Sequence, residues 1–140
     1  MDLSESFDVM RPRDDVVAKL CDDQMLLSLL PEGETEIVES HGDRRTTETH
    51  YRALGREGVA TFQFTFQMDG SLRFHKVCDG NVWRKLEGLV TVEETGDDRC
   101  EVRIELHGKT KALVPEFTIR GPMEQQIHEM TMALEERLSE

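Results

Sequence analysis

Lys76 and Arg84 are the residues whose setting invites chemistry. Each interrupts a run of alternating apolar positions, Leu72-Phe74-Lys76-Cys78 and Val82-Arg84-Leu86, where an aliphatic side chain is the default. A cation on a buried face must meet a carboxylate or a ligand anion, because burying it unpaired is costly. Arg84 can fork onto carboxylate or carbonyl oxygens, so it is the expected anchor for an anionic or carbonyl-bearing ligand head, with Glu36 as its partner when no ligand is bound. Tyr51 shares the alternation of Thr47 and Thr49, and a phenol beside threonines could orient a ligand carbonyl. The plainer readings are a register shift that leaves both cations in solvent, and a tyrosine whose ring packs while its hydroxyl reaches water.

Other chemistry is thinly represented. His41, His50, His75, His107 and His128 never occur as HxH or HExxH, and no metal site is expected. Cys21, Cys78 and Cys100 are odd in number and widely spaced, which reads as free thiols rather than a disulfide framework. No Ser/His/Asp set, glycine-rich phosphate loop or paired-carboxylate motif stands out, so no catalytic residue is assigned and no cofactor is expected.

The chain has 140 residues, 29 acidic against 17 basic, for a net charge of −12. Five of the basic residues are lysines, a balance that would also suit a high-salt cytoplasm. This charge argues against nucleic acid and anionic lipid headgroups, whose phosphates need clustered Lys and Arg. No apolar run approaches the ~18 residues of a membrane span. Residues 1–10 lack a basic stretch followed by an apolar core, so a cytoplasmic protein without stable membrane insertion is expected.

The elements follow from periodicity and punctuation. Residues 3–9 read as a strand. Residues 13–22 and 23–31 read as short helices, capped by Asp14 or Asp15 and by Asp23. Turn signals at 41–43, 55–58, 68–71, 78–81 and 95–98 divide residues 34–112 into six antiparallel strands. Gly88 suggests a bulge or bend. Gly121-Pro122 opens a helix over 122–138, with Met123, Ile127, Met130, Leu134 and Leu138 on one stripe. Period-2 alternation places Ala60, Phe62, Phe64, Phe66 and Met68 on the face shared by Leu72 and Phe74, by Val82, Arg84 and Leu86, and by Cys100, Val102 and Ile104. One helix of ~10 Å diameter cannot fill a strongly curved sheet of this width, so side chains plug the gap or a cavity remains.

This order of strand, two short helices, six-strand meander and long C-terminal helix resembles the helix-grip superfamily of START domains and birch-pollen allergens, also called SRPBCC. It includes polyketide cyclase/dehydrase-like proteins and assembly proteins like those that accompany carbon monoxide dehydrogenase. "SFDVMRPRDDVVAKLCDDQMLLSLLPEGETEI" resembles the opening strand, helix pair and corner, although Glu32 separates Leu30-Pro31 from Gly33. "LEGLVTVEETGDDRCEVRIEL" resembles the penultimate hairpin, and "LVPEF" followed by "GPMEQQIHEM" the entry into the grip helix.

The resemblance implies an α+β helix-grip fold, a seven-stranded antiparallel curved sheet around the C-terminal helix, in one domain over residues 1–140. It also implies a cavity for a lipid, quinone or polyketide-like molecule. Phe62, Phe64, Phe66, Leu72, Phe74 and Val102 are the expected wall, and Met123, Ile127 and Met130 the lid. Tyr51, Lys76 and Arg84 are the expected polar contacts. The expected partner is an apolar or amphipathic small molecule rather than nucleic acid, with a homodimer left open. The alternatives are a polyketide cyclase or dehydratase and a non-catalytic assembly factor with a filled pocket.

Overall fold

A computed structural model describes residues 1–53 and 56–140. The strands are β1 (Asp2–Val9), β2 (Glu34–His41), β3 (Arg44–Ala53), β4 (Arg56–Phe66), β5 (Leu72–Lys76), β6 (Trp83–Gly96) and β7 (Arg99–Thr110). The helices are α1 (Arg13–Leu20), α2 (Asp23–Ser28) and α3 (Phe117–Leu138). All strands pair antiparallel in one sheet of order β1-β7-β6-β5-β4-β3-β2. The expected helix-grip architecture is therefore present: a meander whose far end is closed by β1 pairing with β7. The turn expected at 55–58 begins outside the described residues.

The sheet is apolar on the face toward α3 and polar on the other, as expected when one side only is covered. Val102 and Ile104 of β7 are fully buried, while Arg103 and His107 are exposed. Glycines at positions 42 and 70 take the positive φ that their tight turns need, +59° and +87°. At the second of these turns the Ser71 hydroxyl and amide both donate to Asp69, at 2.5 and 3.0 Å. Arg13 of α1 donates to the Asp69 carbonyl at 2.6 Å and to the Val92 carbonyl at 3.0 Å, which ties α1 to the sheet.

Several local expectations are corrected. Asp22, not Asp23, caps α2, accepting from the Gln24 amide at 2.9 Å. The residue preceding α1 is Pro12, and no side chain caps that helix. α3 starts at Phe117, so Pro122 lies inside it rather than at its first position. The first turns form on main-chain bonds from Thr118 to Pro115 and from Ile119 and Arg120 to Glu116, upstream of the proline. Met68 belongs to the β4–β5 turn and is exposed, because β4 ends at Phe66.

Gly88 pairs in register with Phe74 on one side and Leu106 on the other, without a bulge. Its role is space: a methyl group there would lie 2.2 Å from the Phe74 ring. The register shift in this part of β6 lies between Trp83 and Lys85, with Arg84 as the extra residue. A second shift, between Ile37 and Glu39, kinks the edge strand β2.

Phe62, Phe64 and Phe74 form a cluster, with ring centroids 6.3, 6.4 and 5.3 Å apart. Phe64 is enclosed, so Phe64→Ala is expected to cost about 3–5 kcal/mol in urea unfolding. Phe62 borders open space, described below, and Phe62→Ala is expected to cost distinctly less; equal losses would mean that the space closes in solution. The Ser71 hydroxyl, then its amide, hold the Asp69 carboxyl below the usual carboxylate range. The stability this contributes is present above the ordinary carboxylate pKa and is lost as pH falls through the lowered value. Asp69→Asn should therefore flatten the acid limb of a melting-temperature profile; an unchanged limb would contradict this.

Candidate functional site

The helix does not lie across the middle of the sheet. α3 packs chiefly against β1, with further contact to β7, α1 and α2. Strands β3 to β6 thus leave a cavity of about 500 Å³ between the sheet and the N-terminal half of α3. Ala60, Phe62, Leu86 and Met130 form its apolar floor and lid, Trp83 and Tyr51 its aromatic sides. Leu30, Pro31, Glu32 and Gly33 close one side with the α2–β2 corner. Gly80, Asn81 and Val82 close another with the β5–β6 loop. Exposed Pro31, Glu32, Asn81 and Gln125 mark an opening to solvent.

Two aromatic walls rest on cross-strand glycines. Tyr51 pairs with Gly58 and Leu86 with Gly108. A methyl group at Gly58 would lie 2.6 Å from the Tyr51 ring, and one at Gly108 would lie 2.5 Å from the Trp83 ring. The missing side chains let both rings lie against neighbouring strands at the cavity side. Tyr51 remains 43% exposed, so the residue borders both cavity and solvent. Next to it, the buried Thr49 hydroxyl is 2.8 Å from that of Thr35.

Lys76 is the lysine on the cavity wall, half-buried, with no salt bridge among the described residues. Its carbonyl accepts from the Cys78 thiol, 3.4 Å away, and Cys78 also lines the space. Across the cavity, α3 contributes Gln125, Gln126 and Glu129, and Gln125 donates to Glu129 at 3.0 Å. A half-buried ammonium on the sheet thus shares the cavity with a half-buried carboxylate on the helix. Such an arrangement can hold an anionic or strongly polarised oxygen near Lys76 while an apolar body fills the floor.

Apart from Arg84, the expected site residues divide into three groups. Tyr51, Phe62, Lys76 and Met130 meet at the cavity. Phe64, Phe74 and Met123 line only a narrow crevice beyond Phe62, too small for a ligand, with about 20 Å³ of free volume. Leu72, Val102 and Ile127 are closed core, at 0%, 0% and 3% exposure, and Phe66 is half-buried beneath the Arg45 guanidinium, 5.4 Å from its ring centre.

Arg84 is exposed and does not line the cavity, which corrects its expected inward role. The bulge at Arg84 shifts the phase of β6, so Trp83 takes the inward place that strict alternation gave to Arg84. Lys85, the other residue that a shift could have turned inward, is exposed and pairs with Glu87 at 3.3 Å. Glu36 likewise serves neither cation; it sits 3.7 Å from His50. Glu36, Glu48 and His50 bring their ligand atoms within 4.8 Å of one another, with Glu36 and His50 exposed and Glu48 half-buried on two strands.

No family model matches the sequence, and no curated protein is similar to it. Solved structures are similar in shape. An aromatase/cyclase named Zhui, from a Streptomyces species, superposes with a TM-score of 0.82 at 14% identity, covering 99% of this chain and 93% of that one. A START superfamily protein from Mycobacterium smegmatis gives 0.75 at 17% identity, covering 98% and 96%. Norcoclaurine synthase from Thalictrum flavum, in complex with dopamine and hydroxybenzaldehyde, gives 0.74 at 17% identity, covering 97% and 84%. At these identities the likeness is one of fold, and the fold of this chain is the helix grip.

Proposed function

We propose that the chain binds an apolar or amphipathic small molecule in the cavity between β3–β6 and α3. The observation that carries the reading is the cavity itself, about 500 Å³. That lies within the ~300–1,000 Å³ typical of small-molecule sites, with an apolar floor of Ala60, Phe62, Leu86 and Met130 and polar groups, Arg52 and Lys76 among them, around it. Burying roughly 300 Å² of apolar ligand surface would supply about 7 kcal/mol at ~25 cal/mol per Å², before the cost of ordering the ligand. Lys76 takes over the anchoring role first expected of Arg84. Its ammonium would hold a carboxylate, phenolate or enolate head, while Phe62, Leu86 and Trp83 cover the body. The fold is compatible with this use, since norcoclaurine synthase, a similar structure, is described with two small aromatic compounds.

An enzymatic reading has one observation in its favour: Lys76 and Glu129 stand on different walls of the same space. A cyclase needs an acid or base within reach of a bound carbonyl, and this pair with Tyr51 would provide one. The filled-pocket assembly reading fits less well, because side chains leave the cavity open.

Trp83 is the sole tryptophan and lines the cavity, which makes its fluorescence a direct probe. Fatty acids, quinones and aromatic polyketides would be titrated against wild type and Lys76→Met. Acidic ligands should change the Trp83 emission and raise the melting temperature, with affinity falling about tenfold or more in the variant. Native mass spectrometry should find a co-purified small molecule. Saturable binding of acidic ligands that is equal in both proteins would remove Lys76 as anchor. Neither fluorescence change nor stabilisation by any ligand class would remove the binding reading.

A further inference from the structure

The net charge of −12 is unevenly placed. Residues 76–92 and 107–123 carry six basic residues, Lys76, Arg84, Lys85, Lys109, Lys111 and Arg120, against three acidic ones, Asp79, Glu87 and Glu116. The rest of the chain carries 11 basic and 26 acidic residues. The two stretches come together because the C-terminal ends of β5 and β7 and the N-terminal end of β6 lie at one end of the antiparallel sheet, where α3 also begins. Lys85 stands directly opposite Lys109 across β6 and β7. That placement is unfavourable on its own, since like charges face each other. Lys111 ties the loop after β7 to the β5–β6 loop, through its amide to Val82 at 2.9 Å and its ammonium to the Gly80 carbonyl.

Two large apolar side chains project from this basic end. Leu113 is 96% exposed and Phe117 is 81% exposed. They flank the turn into α3, and the same end carries the cavity-lining residues Gly80, Asn81, Val82, Trp83 and Pro122. Lys85 pairs with Glu87 and Arg120 with Glu124, but both pairs are solvent-exposed and weak, so the cations remain available to an outside anion.

We infer that this end of the molecule docks reversibly on an anionic lipid surface, with Leu113 and Phe117 inserted among the headgroups and Lys109, Lys111 and Arg84 on the lipid charges. The total charge argues against such a surface; the distribution argues for it. At physiological salt, charges beyond about 8 Å are largely screened, so the cluster of Arg84, Lys85, Lys109 and Lys111 acts locally, offset in part by Asp2, Glu87, Glu116 and Glu124 at the same end. Two inserted side chains suit a shallow, transient contact rather than a buried protein interface. Docked in this way, the cavity would open toward the lipid, where apolar ligands are concentrated. The inference rests on the rim and does not need the cavity to bind a ligand.

Co-sedimentation of the full chain with vesicles tests it. Phosphatidylcholine vesicles with 30% phosphatidylserine should retain the wild type at 0.1 M salt, and phosphatidylcholine alone should not. Arg84→Glu with Lys109→Glu should reduce retention at least tenfold, as should 0.5 M salt. Leu113→Ser with Phe117→Ser should reduce it severalfold while leaving the melting temperature unchanged, because both side chains are exposed. Ligand fluorescence with Trp83 should be unaltered in both double variants. No retention of the wild type, or equal retention of wild type and variants, overturns the inference. Retention on soluble polyglutamate but not on vesicles would also overturn it, and would make the surface one for an acidic protein.

Discussion

A sheet of seven strands is wider than any single helix, and the molecule is organised around that mismatch. α3 comes closest to the β1–β7 side and the short helices, while Met123 and Met130 of its buried stripe reach toward the phenylalanines of β4 and β5. On the other flank α3 stands off the sheet. Part of it is filled by Phe62, Phe64 and Phe74, and the remainder stays open. The same phenylalanine stripe therefore serves two purposes. Phe64 is core, Phe66 packs under the half-buried Arg45, and Phe62 divides packed interior from open space.

Glycines make room for the aromatic rings. Tyr51, Phe74 and Trp83 each lie against a glycine of a neighbouring strand, at positions 58, 88 and 108. A side chain at any of these would push its ring off the sheet and into the space it borders. The cavity is thus shaped by the missing side chains at positions 58 and 108, and the packed crevice beside it by the one at 88. Its polar groups stand on both walls, Thr49, Tyr51, Arg52 and Lys76 on the strands and Gln125, Gln126 and Glu129 on the helix, so a guest could be oriented from either side.

Most of the fold was legible in the sequence, because alternation, Asp-Gly turns and one long amphipathic stretch each have a single structural meaning at this length. The inward direction of Lys76 and the outward directions of His75 and His107 followed from period 2 alone. Arg84 did not, because a bulge adds one residue without leaving a mark: residues 83–85 contain no glycine or proline. The only glycine in β6 before its end, Gly88, drew the bulge to the wrong place. The contributions of the α2–β2 corner and of Gln126 and Glu129 were hidden for a different reason. They depend on where α3 lies across the sheet, a tertiary fact that no local pattern encodes.

The pairing of β1 with β7 closes the sheet across the whole length of the meander, Asp2 opposite His107 and Val9 opposite Cys100. During synthesis, β1 appears about 100 residues before the strand it needs. At roughly 5–20 residues per second, that is about 5–20 s in which Leu3, Phe7 and Val9 have no sheet to join. The meander from β2 to β7 can zip up by successive neighbours as it emerges, whereas β1 must wait and then add along a finished edge. Serine, aspartate and glutamate occupy every position between those three apolar residues, which keeps the waiting strand hydrated.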